Sequence, residues 1–258
     1  MSQRLLAAQP VALPDSQTLV YRRLADGPLR LHLIRPESPP PAGGFACVLW
    51  FFGGAWQRGS VRQFEGQARR LAERGVASAL VDYRVRGRQG SPAEAALADA
   101  RAALAWLQGQ ASVLGLDARR LLLAGGSAGA YLALATALER EAVAGLLLFN
   151  PVLVPAHLPG AAATPAFAPR LPLASLLPGL RASLAPTLIL HGEADSQAPF
   201  ADVQAWQAAS TALGNRCELL GYPGQEHGFF NPGREQGRFY RATLQAVEAF
   251  LDSLGLLR

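Results

Sequence analysis

Lysine is absent from this 258-residue chain, and cysteine is nearly so, with only Cys47 and Cys217. Two thiols in separate apolar runs cannot build a disulfide framework and read as buried free cysteines. Only four histidines occur, and none combines with Cys, Asp or Glu at a metal-ligand spacing, so no metal is expected. No Walker or dinucleotide glycine pattern is present, and no cofactor is expected either. No run approaches the ~18 consecutive apolar residues that cross a bilayer, and the opening M-S-Q-R-L-L-A-A-Q-P is too short in apolar residues for an export signal. The expectation is a soluble cytoplasmic protein with no membrane partner. All the cationic side chains are arginines, scattered rather than clustered. A net charge of +5 so distributed gives no reason to expect a nucleic-acid partner.

What is present is apolar. Half of the residues are hydrophobic and 17% are charged, the balance of a compact globular enzyme. The length suits one large α/β domain, taken as residues 1–258. Residues 18–24 and 29–35 alternate around A-D-G-P and read as an antiparallel hairpin at a sheet edge. A proline-rich connector leads to a continuous apolar run at 45–52, as a strand covered on both faces requires. Strand and helix signals then take turns. Helices are expected at about 63–74, 92–109, 128–139, 199–213 and 235–254. Strands are expected at 76–82, 120–124, 143–149, 186–191 and 216–222. That rhythm predicts a mostly parallel sheet of about eight strands with helices on both faces. Residues 151–185, with seven prolines, break it and read as a small lid or an irregular connector.

The chemistry starts at L-L-L-A-G-G-S-A-G, residues 121–129. A buried strand turns sharply into a helix there, with Ser127 at the corner and the small Gly125, Ala128 and Gly129 around it. Taken alone, the pentapeptide is equally a phosphate-binding loop. A serine needs a base, and the base needs a partner to fix its tautomer. His32 lies in the hairpin and reads as solvent-facing, His157 sits in the proline-rich segment, and His191 ends a strand as a structural hydrogen-bonder. His227, in the glycine-punctuated loop G-Y-P-G-Q-E-H-G-F-F after the last strand, stands where a general base must be. H-G-E-A-D offers Glu193 and Asp195 as its partner, and Asp195 is favoured because it precedes the helix near Pro199. Asp82 competes in principle, but pairing with backbone or an arginine is the stronger reading. The amides of Gly54 and Ala55 in F-F-G-G-A-W, with that of Ala128, could hold an oxyanion.

These residues resemble the α/β-hydrolase superfamily, and more narrowly its lipase/esterase group, including hormone-sensitive-lipase-like carboxylesterases and bacterial acetyl-xylan and feruloyl esterases. The markers are F-F-G-G-A-W, V-D-Y-R, G-G-S-A-G, H-G-E-A-D and E-H-G-F-F, in that order. The resemblance implies Ser127 as nucleophile, Asp195 as acid and His227 as base. It implies an oxyanion hole from Gly53, Gly54, Ala55 and Ala128. The family's H-G-G-G is here Phe52-Gly53-Gly54-Ala55, so the leading histidine is gone and the third glycine has gained a methyl. The implied reaction is hydrolysis of a short-acyl ester, such as an acetylated sugar, with a small-molecule or oligosaccharide ester as the partner. The alternatives are an amidase, peptidase or formamidase with the same triad, or a catalytically silent binding protein. For substrate contacts, Trp56 is either a stacking platform or a core aromatic. Arg84, Arg86 and Arg88 either recognise a carboxylated or sulfated sugar or form a solvated basic loop.

Overall fold

A computed structural model describes residues 13–139, 143–153 and 176–258. The strands are β1 (Gln17–Leu24), β2 (Gly27–Ile34), β3 (Phe45–Phe51), β4 (Ala77–Val81), β5 (Leu116–Gly126), β6 (Gly145–Phe149), β7 (Thr187–Gly192) and β8 (Cys217–Tyr222). The helices are α1 (Glu65–Glu73), α2 (Arg86–Gln89), α3 (Ala93–Gln110), α4 (Ala128–Glu139), α5 (Phe200–Ala212) and α6 (Arg238–Ser253). All eight strands join one sheet in the order β1-β2-β4-β3-β5-β6-β7-β8. Only β2 runs against the rest; from β4 to β8 every pairing is parallel.

The strand order reverses between β3 and β5. After β3 the chain returns through α1 to β4 on one side, whereas after β5 it proceeds through α4 to β6 on the other. In open sheets of this kind a crevice forms at the carboxyl ends of the strands at that reversal. The turn after β3 and the corner after β5 therefore emerge side by side.

Burial explains the sequence patterns. Every residue of β3, β4 and β6 is buried, which accounts for apolar runs without alternation. Helix α4 is buried along its length from Ala128 to Leu138, so its apolar residues do not concentrate on one stripe. A cluster of rings lies beneath the corner after β5: Trp50 stacks on Phe64 at 4.8 Å, and Phe149 meets Phe230 at 4.9 Å.

Several sequence expectations change in detail. The strand expected at 120–124 is longer, and a 3-10 turn at Val61–Phe64 precedes α1 where one helix was expected from 63. Another 3-10 turn at Glu235–Gly237 precedes α6. The short α2, not expected, holds Arg86 and Arg88. His32 is not solvent-facing: it is 2% exposed, because the face of β2 that it occupies is covered. Its Nδ1 is 3.0 Å from Thr18 Oγ1. Cys47 and Cys217 are free and buried, as expected. Of the stretch 151–185, residues 154–175, including His157, lie outside the described residues. Among the described residues no helix is long and apolar enough to cross a membrane, and no group of His, Cys, Asp and Glu could hold a metal ion.

Candidate active site

Ser127 follows the last residue of β5 and precedes the first of α4, with φ of 53°. That left-handed conformation is costly for a residue with a Cβ, and the surroundings hold it in place. The Ser127 N–H donates to Phe149 O at 2.9 Å, and Ser127 O accepts from Tyr131 N at 3.1 Å. Small residues are needed because the chains touch. A Cβ on Gly129 would lie 2.0 Å from Phe51 O, and one on Gly125 would lie 2.4 Å from the Gly129 carbonyl carbon.

Two loops from farther along the sheet reach the serine. His227, beyond β8, places Nε2 2.9 Å from Ser127 Oγ. Its Nδ1 is 2.7 Å from Asp195 Oδ2, in the turn between β7 and α5. Asp195 is buried, and its Oδ1 accepts the N–H groups of Gln197 and Ala198, each at 2.9 Å. Burial pushes the Asp195 carboxyl up, but hydrogen bonds from His191 and His227, the nearby His227 charge and the Ala198 N–H outweigh it. Together they hold the group well below the usual carboxylate range. His191 is fully buried; its Nε2 is 2.8 Å from Ala198 O and 3.3 Å from Asp195 Oδ2, so it braces the acid loop. Since Asp195 can only accept, His227 carries its proton on Nδ1 and leaves Nε2 to receive one from serine. Glu193 is exposed, and Glu226 accepts from Ser196 instead. Asp82 pairs with Arg88 at 2.7 Å.

The turn after β3 faces the same space. Gly53, Gly54 and Ala55 line a cleft of about 860 Å³ together with Ser127 and His227. Gly54 has φ of 132° and Ala55 φ of 52°, so the alanine that replaces a glycine still takes the left-handed turn. Among the described residues nothing accepts the N–H groups of Gly54, Ala55 or Ala128. Gly53 differs. Its N–H donates to Gln63 Oε1 at 2.6 Å, so it cannot serve an oxyanion, contrary to the sequence expectation. Phe52, which stands where the family has histidine, stacks on Tyr83 at 4.1 Å, and the Tyr83 hydroxyl donates to Phe52 O at 2.5 Å. The tyrosine of V-D-Y-R thus holds the start of the turn after β3.

The candidate substrate contacts of the sequence, each read there also as a core or solvated residue, do not line the cleft among the described residues. Trp56 is 3% exposed and packs edge-on against Tyr131 at 5.6 Å. Arg84 grips the fully buried Asp99, donating from Nε at 2.8 Å and from Nη2 at 2.9 Å. Arg86 opens α2 and does not line the cleft, and Arg88 is committed to Asp82. In their place the walls carry side-chain amides the sequence did not flag. Asn150, 1% exposed with φ of 34°, accepts the Gly228 N–H at 3.1 Å and sets its Nδ2 3.3 Å from His227 Nε2. Gln63 donates to Asn231 Oδ1 at 3.2 Å, and Asn231 donates to Gly228 O at 2.8 Å. The contacts of Asn150 with His227 and of Gln63 with Asn231 span 77 and 168 residues and leave no local signal. Only the positions after β6 and inside the 3-10 turn, known once the fold is known, point to them.

Comparison with known proteins finds hydrolase and esterase relatives. Residues 36–147 match the BD-FAE family model. The chain is 29% identical over 265 residues to carboxylesterase NlhH of Mycobacterium tuberculosis, covering 88% of this chain and 80% of that protein. It is also 29% identical over 123 residues to AB hydrolase superfamily protein C1039.03 of Schizosaccharomyces pombe; there it spans only 35% of the relative's length. Among solved structures, Thermogutta terrifontis esterase 2 phosphonylated by sarin superposes with a TM-score of 0.90 at 32% identity, over 96% of this chain and 98% of that one. The propionate-bound form of that esterase gives 0.88 at 33% identity, over 96% and 97%.

Proposed function

This chain belongs to the esterase/lipase family of α/β-hydrolases and is a serine hydrolase, and from that premise we propose that it cleaves short-acyl carboxylic esters through an acyl-enzyme on Ser127. The observation that carries the reading is the chain of contacts from Ser127 Oγ to His227 at 2.9 Å and on to Asp195 at 2.7 Å, opening on one cleft.

Ser127 Oγ bonds to the ester carbonyl carbon as its proton passes to His227 Nε2, and the carbonyl π pair moves onto oxygen. The Gly54, Ala55 and Ala128 N–H groups hold that oxyanion, each typically worth ~3 kcal/mol. Asp195 stabilises the imidazolium. His227 then gives its proton to the departing alkoxide as the C–O bond breaks, leaving Ser127 acylated. Water next loses a proton to His227, its oxygen attacks the acyl carbon, and the acid leaves as Ser127 regains the proton. A related esterase phosphonylated by sarin supports a covalent route, and the same esterase with propionate bound supports a small acyl group. The finer proposal is an acetyl group on a sugar.

A fluorophosphonate probe tests the mechanism: it labels the wild type and not Ser127→Ala. Labelling with hydrolysis of 4-nitrophenyl acetate and acetylated xylo-oligosaccharides completes the reading. Labelling with cleavage of amides alone favours the amidase alternative, and no labelling of either protein leaves a silent binding module.

A further inference from the structure

The walls of the catalytic cleft carry one sign of charge. Arg58, Arg62 and Arg234 line it, and no aspartate or glutamate does among the described residues. Arg62 is paired with Glu65 at 3.1 Å and is set aside. Arg58 stands three residues beyond Ala55, and Arg234 ends the loop that carries His227; both are exposed, and among the described residues neither guanidinium has a carboxylate partner.

The nearby acids are committed elsewhere. Asp195 is buried against His227 and His191, Glu226 accepts from Ser196, and Glu65 is shared by Arg62 and Arg69. Glu235 follows Arg234 but does not line the cleft. The sequence of 154–175 contains no acidic residue, only Arg170 and His157, so it can bring no compensating negative charge. Five neutral amides, Gln57, Gln63, Gln197, Asn150 and Asn231, share the remaining walls with glycines, Ala55, Phe230 and Pro232. The arginines, by contrast, present planar donor forks that fit a carboxylate in two-point contact.

Resting on the esterase reading above, we propose that the ester taken by this cleft carries a carboxylate, on its acyl or its alcohol part, held by Arg58 and Arg234. Both arginines line the same cleft as Ser127 and His227, so a carboxylate they hold lies in the space that the serine opens on. Charge of one sign in a cleft also raises the encounter rate of an oppositely charged substrate, steeply dependent on salt.

The test compares matched esters. For the acyl side, the pair is mono-4-nitrophenyl succinate and 4-nitrophenyl acetate. For the alcohol side, it is 4-acetoxybenzoate and its neutral methyl ester. The expected result is a kcat/KM at least about tenfold higher for the charged member of one pair at low salt. That preference shrinks between about 20 mM and about 500 mM salt, as the screening length falls from roughly 20 Å to about 4 Å. In Arg58→Gln/Arg234→Gln the charged-to-neutral ratio falls towards unity, while fluorophosphonate labelling of Ser127 certifies that the variant is folded. Equal rates within both pairs in a wild type that labels, or a preference that survives the double substitution, would overturn the carboxylate assignment while leaving the esterase reading intact. Absence of both labelling and ester turnover would overturn the esterase reading, and this inference with it.

Discussion

Gln63 Oε1 accepts the backbone N–H of Gly53 at 2.6 Å, and the same side chain donates to Asn231, four residues past His227. One amide thus ties the turn that would hold the oxyanion to the loop that carries the base. Replacing Gln63 by Leu frees both while keeping the bulk. We expect kcat on a chromogenic ester to fall by about 10- to 100-fold with a smaller change in KM, because misplacement of about 1 Å is felt mainly in the transition state. Gln63→Glu, which can still accept the Gly53 N–H, should recover part of the loss. An equal loss in both variants, or a change confined to KM, would contradict a positioning role.

Asp195 should govern both rate and acid stability. Asp195→Asn keeps the shape but offers His227 the wrong partner, and kcat should fall by about 10⁴-fold, as for the equivalent change in other triads. The Asp195 carboxyl is held below its ordinary range in the fold, whereas in the unfolded chain it titrates near ~3.9. Its stabilising contribution is therefore fully present above that unfolded value and is lost as pH falls towards the folded one. In urea titrations, any margin of wild type over Asp195→Asn should be flat from about pH 5 to 8 and shrink below about pH 4. A margin that grows in acid would reverse the assigned direction.

The close approach of α4 to the end of β3 makes Gly129 intolerant. With a Cβ there 2.0 Å from Phe51 O and 2.4 Å from Phe52 O, backbone must move. Gly129→Ala is expected to cost about 4 kcal/mol or more, or to prevent soluble expression. Gly109, exposed near the end of α3 with nothing within 4 Å of where a Cβ would stand, is the counterpart. Gly109→Ala should stabilise by about 0.5 kcal/mol. Thermal melting of the pair separates crowding from a general dislike of substitution.

Arg84, which sequence left between a substrate contact and a solvated loop, is a structural residue. Asp99, fully buried, meets Arg84 at 2.8 Å and Arg22 at 2.6 Å. Asp99→Ala leaves two partly buried cations without their shared anion, and should cost about 3 kcal/mol in chemical denaturation. Activity of the protein that remains folded should change little, since Asp99 does not line the cleft. A stable variant with a selective rise in KM would return Arg84 to the substrate.

How much of this could be read from sequence depends on whether the constraint was local. Glycines around Ser127 mark a corner because no other residue clears Phe51 and Phe52 there, and the pattern spans five positions. Asp195 stands out from Glu193 because a turn and a helix start follow it, and its Oδ1 does accept the two N–H groups of that turn. Arg84 was legible only as a charge after a strand. What decides its fate is Asp99 on α3, 15 residues on. Trp56 followed the right turn but faces Tyr131, because a left-handed φ of 57° directs it inward. His32 misled because alternation reveals which residues share a face, not whether that face is covered.

The ladder pairs Phe51 with Gly125 in parallel register. Adjacent strands sit about 4.8 Å apart whatever their side chains. The separation of Ser127 from the turn after β3 thus starts from main-chain pairing of neighbouring strands, and the Gln63 tie to Asn231 trims it from the loop side. Loops that leave that tie and His227 in place can be rebuilt without moving the corner that the ladder sets.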